Sequence, residues 1–302
     1  MAVRGGARRR WQWALVLLVA ALAAAVGGGS AEGDPVCQTS WTAGNGQFTT
    51  AANWSAGVPN GSTHGCINLS VTVTLTGTAS TSGVTVGTGS TLAVSSGSDL
   101  NLGATGLVSD GTVRLQGGSA ELDARGGATI ENRGLLVVEG SGVSFLLGGT
   151  VLNTDTIDVD AEVRTEGTWT NTGTINVDGD LVDHSNTSIT LGSGSQLTGP
   201  GDWVWDNSGN WTWAGTGGTI TMANPPRVSS HTFTFTDTGA GTVELFGANT
   251  VLGTIGANQT VRVSSGAEAN TGASTLTNNG TVRLLSGPNN TELDFRGGGT
   301  FH

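Results

Sequence analysis

The feature that most constrains what this chain can fold into is a short internal period. From about residue 70 onward, segments of Val, Ile, Leu and Thr alternate with polar residues and break at Gly, Asn, Asp or Ser. One unit recurs as Asn132-Arg-Gly-Leu-Leu-Val-Val, Asn153-Thr-Asp-Thr-Ile-Asp-Val and Asn171-Thr-Gly-Thr-Ile-Asn-Val, a turn followed by an alternating strand with a period of about 20 residues. A longer echo surrounds it. Gly111-Thr-Val-Arg-Leu and Glu121-Leu-Asp-Ala-Arg-Gly-Gly return 169 residues later as Gly280-Thr-Val-Arg-Leu and Glu292-Leu-Asp-Phe-Arg-Gly-Gly, with two extra residues near Pro288 to Asn290. That interval holds about eight units. Outside the first thirty residues, no window carries a helical apolar stripe of useful length without a Gly break.

Strands and turns alone, at so short a period, predict a solenoid whose coils stack and bury a common core. A propeller blade needs about 40 residues and a sandwich has no short repeat. The fold class expected is therefore all-β, a single right-handed parallel β-helix of about a dozen coils. Within Thr174-Ile175-Asn176-Val177-Asp178, alternation points Ile175 and Val177 inward and Asn176 and Asp178 to water. The turn residues Asp110, Asn132, Asn153, Asn171 and Asn279 are expected in left-handed backbone geometry, with their side chains bonding along the axis when stacked. Gly111, Gly134, Gly173 and Gly280 beside them are expected to meet the same conformational need.

The first 31 residues read differently. Arg4, Arg8, Arg9 and Arg10 precede an apolar run from Trp11 to Val26, and Gly29, Ser30 and Ala31 supply small residues for cleavage, the pattern of a secretory signal peptide. The run is short for a membrane span and nothing later resembles one. Removing residues 1–31 leaves eight Arg against 23 acidic residues, a net charge of −15, with no Lys anywhere. Such a chain has no basic stripe to neutralise phosphates, which excludes nucleic acid as a partner. In an exported chain, Cys37 and Cys66 are expected to pair, closing a loop of about 30 residues that stabilises by about 3 kcal/mol.

Cys37, Trp41, Thr42, Gly44, Phe48, Ala52, Asn53, Trp54, Ser55, Gly57, Val58, Pro59, Cys66 and Ile67 together resemble the opening motif of bacterial secreted right-handed parallel β-helix proteins, the adhesin and passenger-like exoproteins. Phe48 stands where that motif usually has a second Trp, and His64 lies near where an Asp is common. The resemblance implies that residues 32–70 cap the first coil, with Trp41, Phe48 and Trp54 as cap core, and that residues 71–302 form the helix. Because the second Glu-Leu-Asp copy stops at Phe301-His302, a continuation beyond residue 302 is expected.

Three groups are candidates for chemistry. Asn153-Thr-Asp-Thr-Ile-Asp158 resembles the first active-site motif of polygalacturonases, whose clustered carboxylates act as acid and base. That family's adjacent Asp pair, Gly-His-Gly and Arg-Ile-Lys are all missing. Asp155, Asp158, Asp178 and Asp180 are the catalytic candidates on this reading, and the repeating turn and strand explain the segment without catalysis. With Asp160, Asp183 and His184 nearby in sequence, outward carboxylates could also hold Ca²⁺, although neither an EF-hand loop nor the Ca²⁺-binding nonapeptide is present. Otherwise no metal or cofactor is expected. Trp203, Trp205, Trp211 and Trp213 lie in pairs on one face of their strands. Outward they would make a sugar-stacking platform; inward, as the acids flanking them favour, they would be core. The expectation is a secreted, non-enzymatic surface for adhesion or structural display, meeting extracellular polysaccharide or cell-surface components. A polysaccharide lyase or glycoside hydrolase, and a carbohydrate-binding β-helix, are the alternatives.

Overall fold

Alternating Val, Leu and Ile at the predicted spacing become short strands. In the computed structural model, which describes residues 34–205, 209–213, 217–294 and 300–301, these strands stack into a parallel β-helix with coils of about 21 residues. The segment expected to be a signal peptide lies outside the described residues. Pairing between strands is parallel throughout the described residues, apart from an antiparallel bridge between Trp41 and Trp54.

Each regular coil contributes three strands, as the coil around residue 150 illustrates. Thr150–Asn153 lies on a first face, Thr156–Val159 on a second, and the start of Val163–Asn171 on a third. The strand then shifts register on either side of Glu166 and bends back to the first face. Gly167, with φ +95°, supplies the backbone geometry of that bend, which an L side chain rarely adopts. Coil length varies: Thr156 pairs with Thr174, a step of 18 residues, whereas Gly46 pairs with Val73, a step of 27. Six pairings carry Thr112 to Ala240 and two more carry Thr242 to Thr281, so the two copies of Gly-Thr-Val-Arg-Leu lie eight coils apart with a two-residue offset in register.

Inward positions stack in aliphatic columns. On the second face Val73, Leu92, Val113, Leu136, Ile157, Ile175, Leu197 and Ile220 lie one above another, and Leu75, Val94, Leu115, Val138, Val159 and Val177 form the column beside them. All are buried. Each such side chain contributes about 1.5–3 kcal/mol of burial free energy, set against the ordering of its coil. Ile175 and Val177 face inward, and Asn176 and Asp178 outward, as their alternation predicts.

The turn residues depart from expectation. Asn132, Asn153 and Asn171 are the last residues of their strands and are buried; none of the five has a positive φ. Their amides do bond along the axis: Asn132 Nδ2 donates to Asn153 Oδ1, and Asn153 Nδ2 to Asn171 Oδ1, both at 2.7 Å. Asn132 Nδ2 and Asn153 Nδ2 also reach the carbonyls of Thr156 and Thr174, and so tie the first face to the second across the corner. Gly111, Gly134, Gly173 and Gly280 likewise lack positive φ. Their requirement is close approach: a Cβ on Gly134 would stand 2.3 Å from the Gly111 carbonyl oxygen, and one on Gly280 2.2 Å from that of Gly256.

The described residues from Pro35 onward form one compact unit that includes the N-terminal cap. Thr39–Ser40 pairs with Gly65 and Cys66, and Gly46–Gln47 with Val73 and Thr74. Trp54 packs edge-on against Trp41 and Phe48, with ring centroids 5.1 Å apart in both pairs. The Trp54 indole N–H donates to the Phe48 carbonyl and that of Trp41 to the Gly44 carbonyl. Cys37 and Cys66 are joined in a disulfide that ties the cap to strand His64–Ile67. Among the described residues no helix is long and apolar enough to cross a membrane.

Candidate functional site

Because the inward positions of the described coils are filled, the groups these coils offer to a ligand are those the strands turn outward. On the second face, Asn176 Nδ2 donates to Asp158 Oδ1 on the coil below at 2.8 Å, and the Thr198 hydroxyl donates to Asn176 Oδ1 at 3.1 Å. Arg114 clamps Glu139 through Nε and Nη2 at 2.9 and 2.7 Å, with Gln116 adding 3.1 Å. The Arg114 hydrogen bonds hold the Glu139 carboxyl below the usual carboxylate range. Asp158, Asp160 and Asp178 bring carboxylate oxygens within 4.8 Å of one another, an oxygen set of the type that suits a hard divalent cation. Partial burial, then the charges of Asp158, Asp178 and Glu139, hold Asp160 above its ordinary value.

The four acids named as catalytic candidates do not form one constellation. Asp158 and Asp178 are together, joined by Asp160. Asp155 instead borders a shallow open groove at the corner, with Asp110, Gly111 and Gly134. Asp180 stands on the third face, in register with Asp202. Asp183 is buried and accepts hydrogen bonds from the Thr187 hydroxyl at 2.6 Å and its backbone N–H at 3.3 Å.

Trp203, Trp205, Trp211 and Trp213 are fully buried, so the sugar-stacking platform is not formed on the outer surface. The Trp203 and Trp205 centroids are 4.9 Å apart, and Trp211 stacks on Phe233 at 5.2 Å. Trp205 and Trp213 donate their indole N–H groups to the carbonyls of Thr187 and Gly218. The reason is the flanking sequence: with Asp202 and Val204 on the alternate positions, water takes the carboxylate and the core takes the indoles.

Two further polar groups support structure. His64 is buried between hydroxyls, with Nδ1 2.8 Å from Thr105 Oγ1 and Nε2 2.9 Å from Thr85 Oγ1, and burial lowers its pKa. On the third face Arg125 folds back on Asp123, at 2.7 Å through Nη2, and on Glu121 at 3.0 Å. Partial burial raises the Asp123 pKa, and the Arg125 side-chain and backbone hydrogen bonds outweigh it and lower it.

The first face carries an array that sequence reasoning did not single out. Thr150, Thr168, Ser188, Asn210, Thr232 and Thr250 follow one another on successive coils in one outward column. Two residues along each strand, Leu152, Thr170, Thr190, Thr212, Thr234 and Leu252 form the next. Over these six coils neither column contains a charge; the preceding position of the second column is Glu131, which is paired with Arg133. The available signal was Thr-x-Thr spacing, as in Thr168-Trp-Thr170 and Thr232-Phe-Thr234, recurring at the coil period. It was overlooked because Thr is also an ordinary strand former.

The chain matches no protein-family model. It also matches no curated protein and no solved structure.

Proposed function

We propose that this protein is a secreted, non-enzymatic β-helix that serves as an extended surface for adhesion or structural display outside the cell. The observation that carries this reading is the filling of the interior by stacked Val, Leu, Ile, Trp and Phe, so that among the described residues the polar chemistry lies mainly on the outward faces of the strands. The opening motif around Trp41, Asn53 and Trp54 supports the same reading through its likeness to bacterial secreted β-helix proteins. The charged residues before the apolar N-terminal run support export.

A glycoside hydrolase needs an acid and a base or nucleophile flanking one glycosidic bond. Asp158, Asp160 and Asp178 are instead grouped together, with carboxylate oxygens within 4.8 Å of one another. The test is incubation of the purified protein with a panel of soluble and insoluble polysaccharides, with and without Ca²⁺, assaying reducing ends and unsaturated products. No product is expected. Products that disappear in Asp158→Asn or Asp178→Asn would replace this reading with catalysis.

A further inference from the structure

We propose that the two hydroxyl-bearing columns of the first face form a binding surface for ice. The proposal rests on the reading of the protein as a non-catalytic surface and names the ligand of one face. Between Thr150 and Leu252, the twelve outward positions of six successive coils hold eight Thr, one Ser, one Asn and two Leu. This is an uncharged area on a chain with a formal net charge of −11, whose second face carries Arg114, Glu139 and the Asp158 group.

Three physical features suit that ligand. Register between 168–171, 188–191, 211–213 and 232–236 is unbroken, so the side chains repeat about 4.8 Å apart along the axis and about 6.6 Å apart across each strand. Prism faces of hexagonal ice present a rectangular oxygen net of comparable size, somewhat shorter than the first spacing and longer than the second. Thr is stiff at χ1, and each pair of columns is backed by a bulky inward residue, Trp169, Ile189, Trp211, Phe233 or Val251, which holds the face in place. Each Thr also offers a methyl beside its hydroxyl, so water can be ordered between columns without the strong orienting field of an ion. The next outward residues, Thr154, Thr172 and Thr236, turn their hydroxyls back onto the carbonyls of Asn132, Asn153 and Trp213 and bound the array at the corner. A crystalline polysaccharide is the less suited occupant, because sugars dock on exposed aromatic rings and the rings of this face point inward.

The test is made on the purified protein by nanolitre osmometry and by ice recrystallisation in frozen sucrose, with the polysaccharide cleavage assay run alongside. Faceted ice crystals, a gap between melting and freezing points, and suppressed recrystallisation are expected. Thr190→Lys with Thr212→Lys should abolish all three, whereas Asn176→Lys on the second face should leave them unchanged. Circular dichroism verifies each fold, and Thr190→Val with Thr212→Val serves if the Lys pair does not fold. Unshaped crystals with the folded wild type, or full activity in the folded Lys pair, would overturn the proposal while leaving the surface reading intact. Sedimentation with crystalline cellulose or chitin that is lost in the same variants would overturn it in favour of a polysaccharide. Polysaccharide cleavage products would instead remove the surface reading itself.

Discussion

Asn153 is the middle member of a buried amide column and illustrates how single side chains hold adjacent coils in register. Its Nδ2 donates to Asn171 Oδ1 and to the Thr174 carbonyl, and its Oδ1 accepts from Asn132. Asn153→Ala removes these bonds and leaves Asn171 Oδ1 buried without that donor, at a cost of about 1–3 kcal/mol that urea denaturation will report. His64 acts through protonation. Its folded pKa lies below the ordinary value of 6.5, so as pH falls below 6.5 the unfolded chain takes up a proton that the folded chain resists. Stability contributed by neutral His64 is complete above that pH and declines below it. Denaturation midpoints between pH 7.5 and 5.5 should therefore fall in the wild type, and His64→Gln should remove part of that slope. An unchanged slope in a folded His64→Gln protein would count against the buried neutral imidazole.

At the scale of the element, the coil corner is set by backbone approach. A Cβ on Gly173 would lie 2.0 Å from the Asp155 carbonyl oxygen, whereas one on Gly44 in the cap meets nothing within 4 Å. Gly173→Ala is expected to destabilise by about 1–3 kcal/mol, and Gly44→Ala to change stability by less than about 0.5 kcal/mol, in matched thermal and urea unfolding. The corner also shows where sequence reasoning reached its limit. The period, the inward Ile175 and Val177, the pairing of Cys37 with Cys66 and the eight-coil interval between the Gly-Thr-Val-Arg-Leu copies were legible, because alternation and repetition are local signals. The role of Gly173 was not, since the obstacle to a side chain is a carbonyl 18 positions earlier that only stacking brings near. The acidic group was legible in part. Asp158 and Asp178 meet on adjacent coils, with Asn176 the register partner of Asp158, whereas Asp180 lies on another face, in register with Asp202. The Thr columns escaped notice because each coil shows only one or two of their members.

At the scale of the whole molecule, one core serves three chemically different faces. The first is hydroxyl-bearing and uncharged from Thr150 to Leu252, the second carries Arg114, Glu139 and the Asp158 group, and the third carries the Arg125 clamp. This division follows from the period-two alternation, which lets outward residues vary freely while inward ones conserve the volume of the stack. It is also why a surface function suits the protein: each face extends over many coils, and no aromatic ring of the Trp203 to Trp213 segment is left to line a sugar site. The central claim is that the seven tryptophans after residue 31 belong to the cap and core. Each of them is at most 4% exposed. Iodide and acrylamide quenching of intrinsic fluorescence, measured with and without oligosaccharides, tests this directly. A blue-shifted emission, little quenched by iodide and unmoved by sugars, is the result the structure requires; a red-shifted, iodide-accessible population that sugars protect would contradict it.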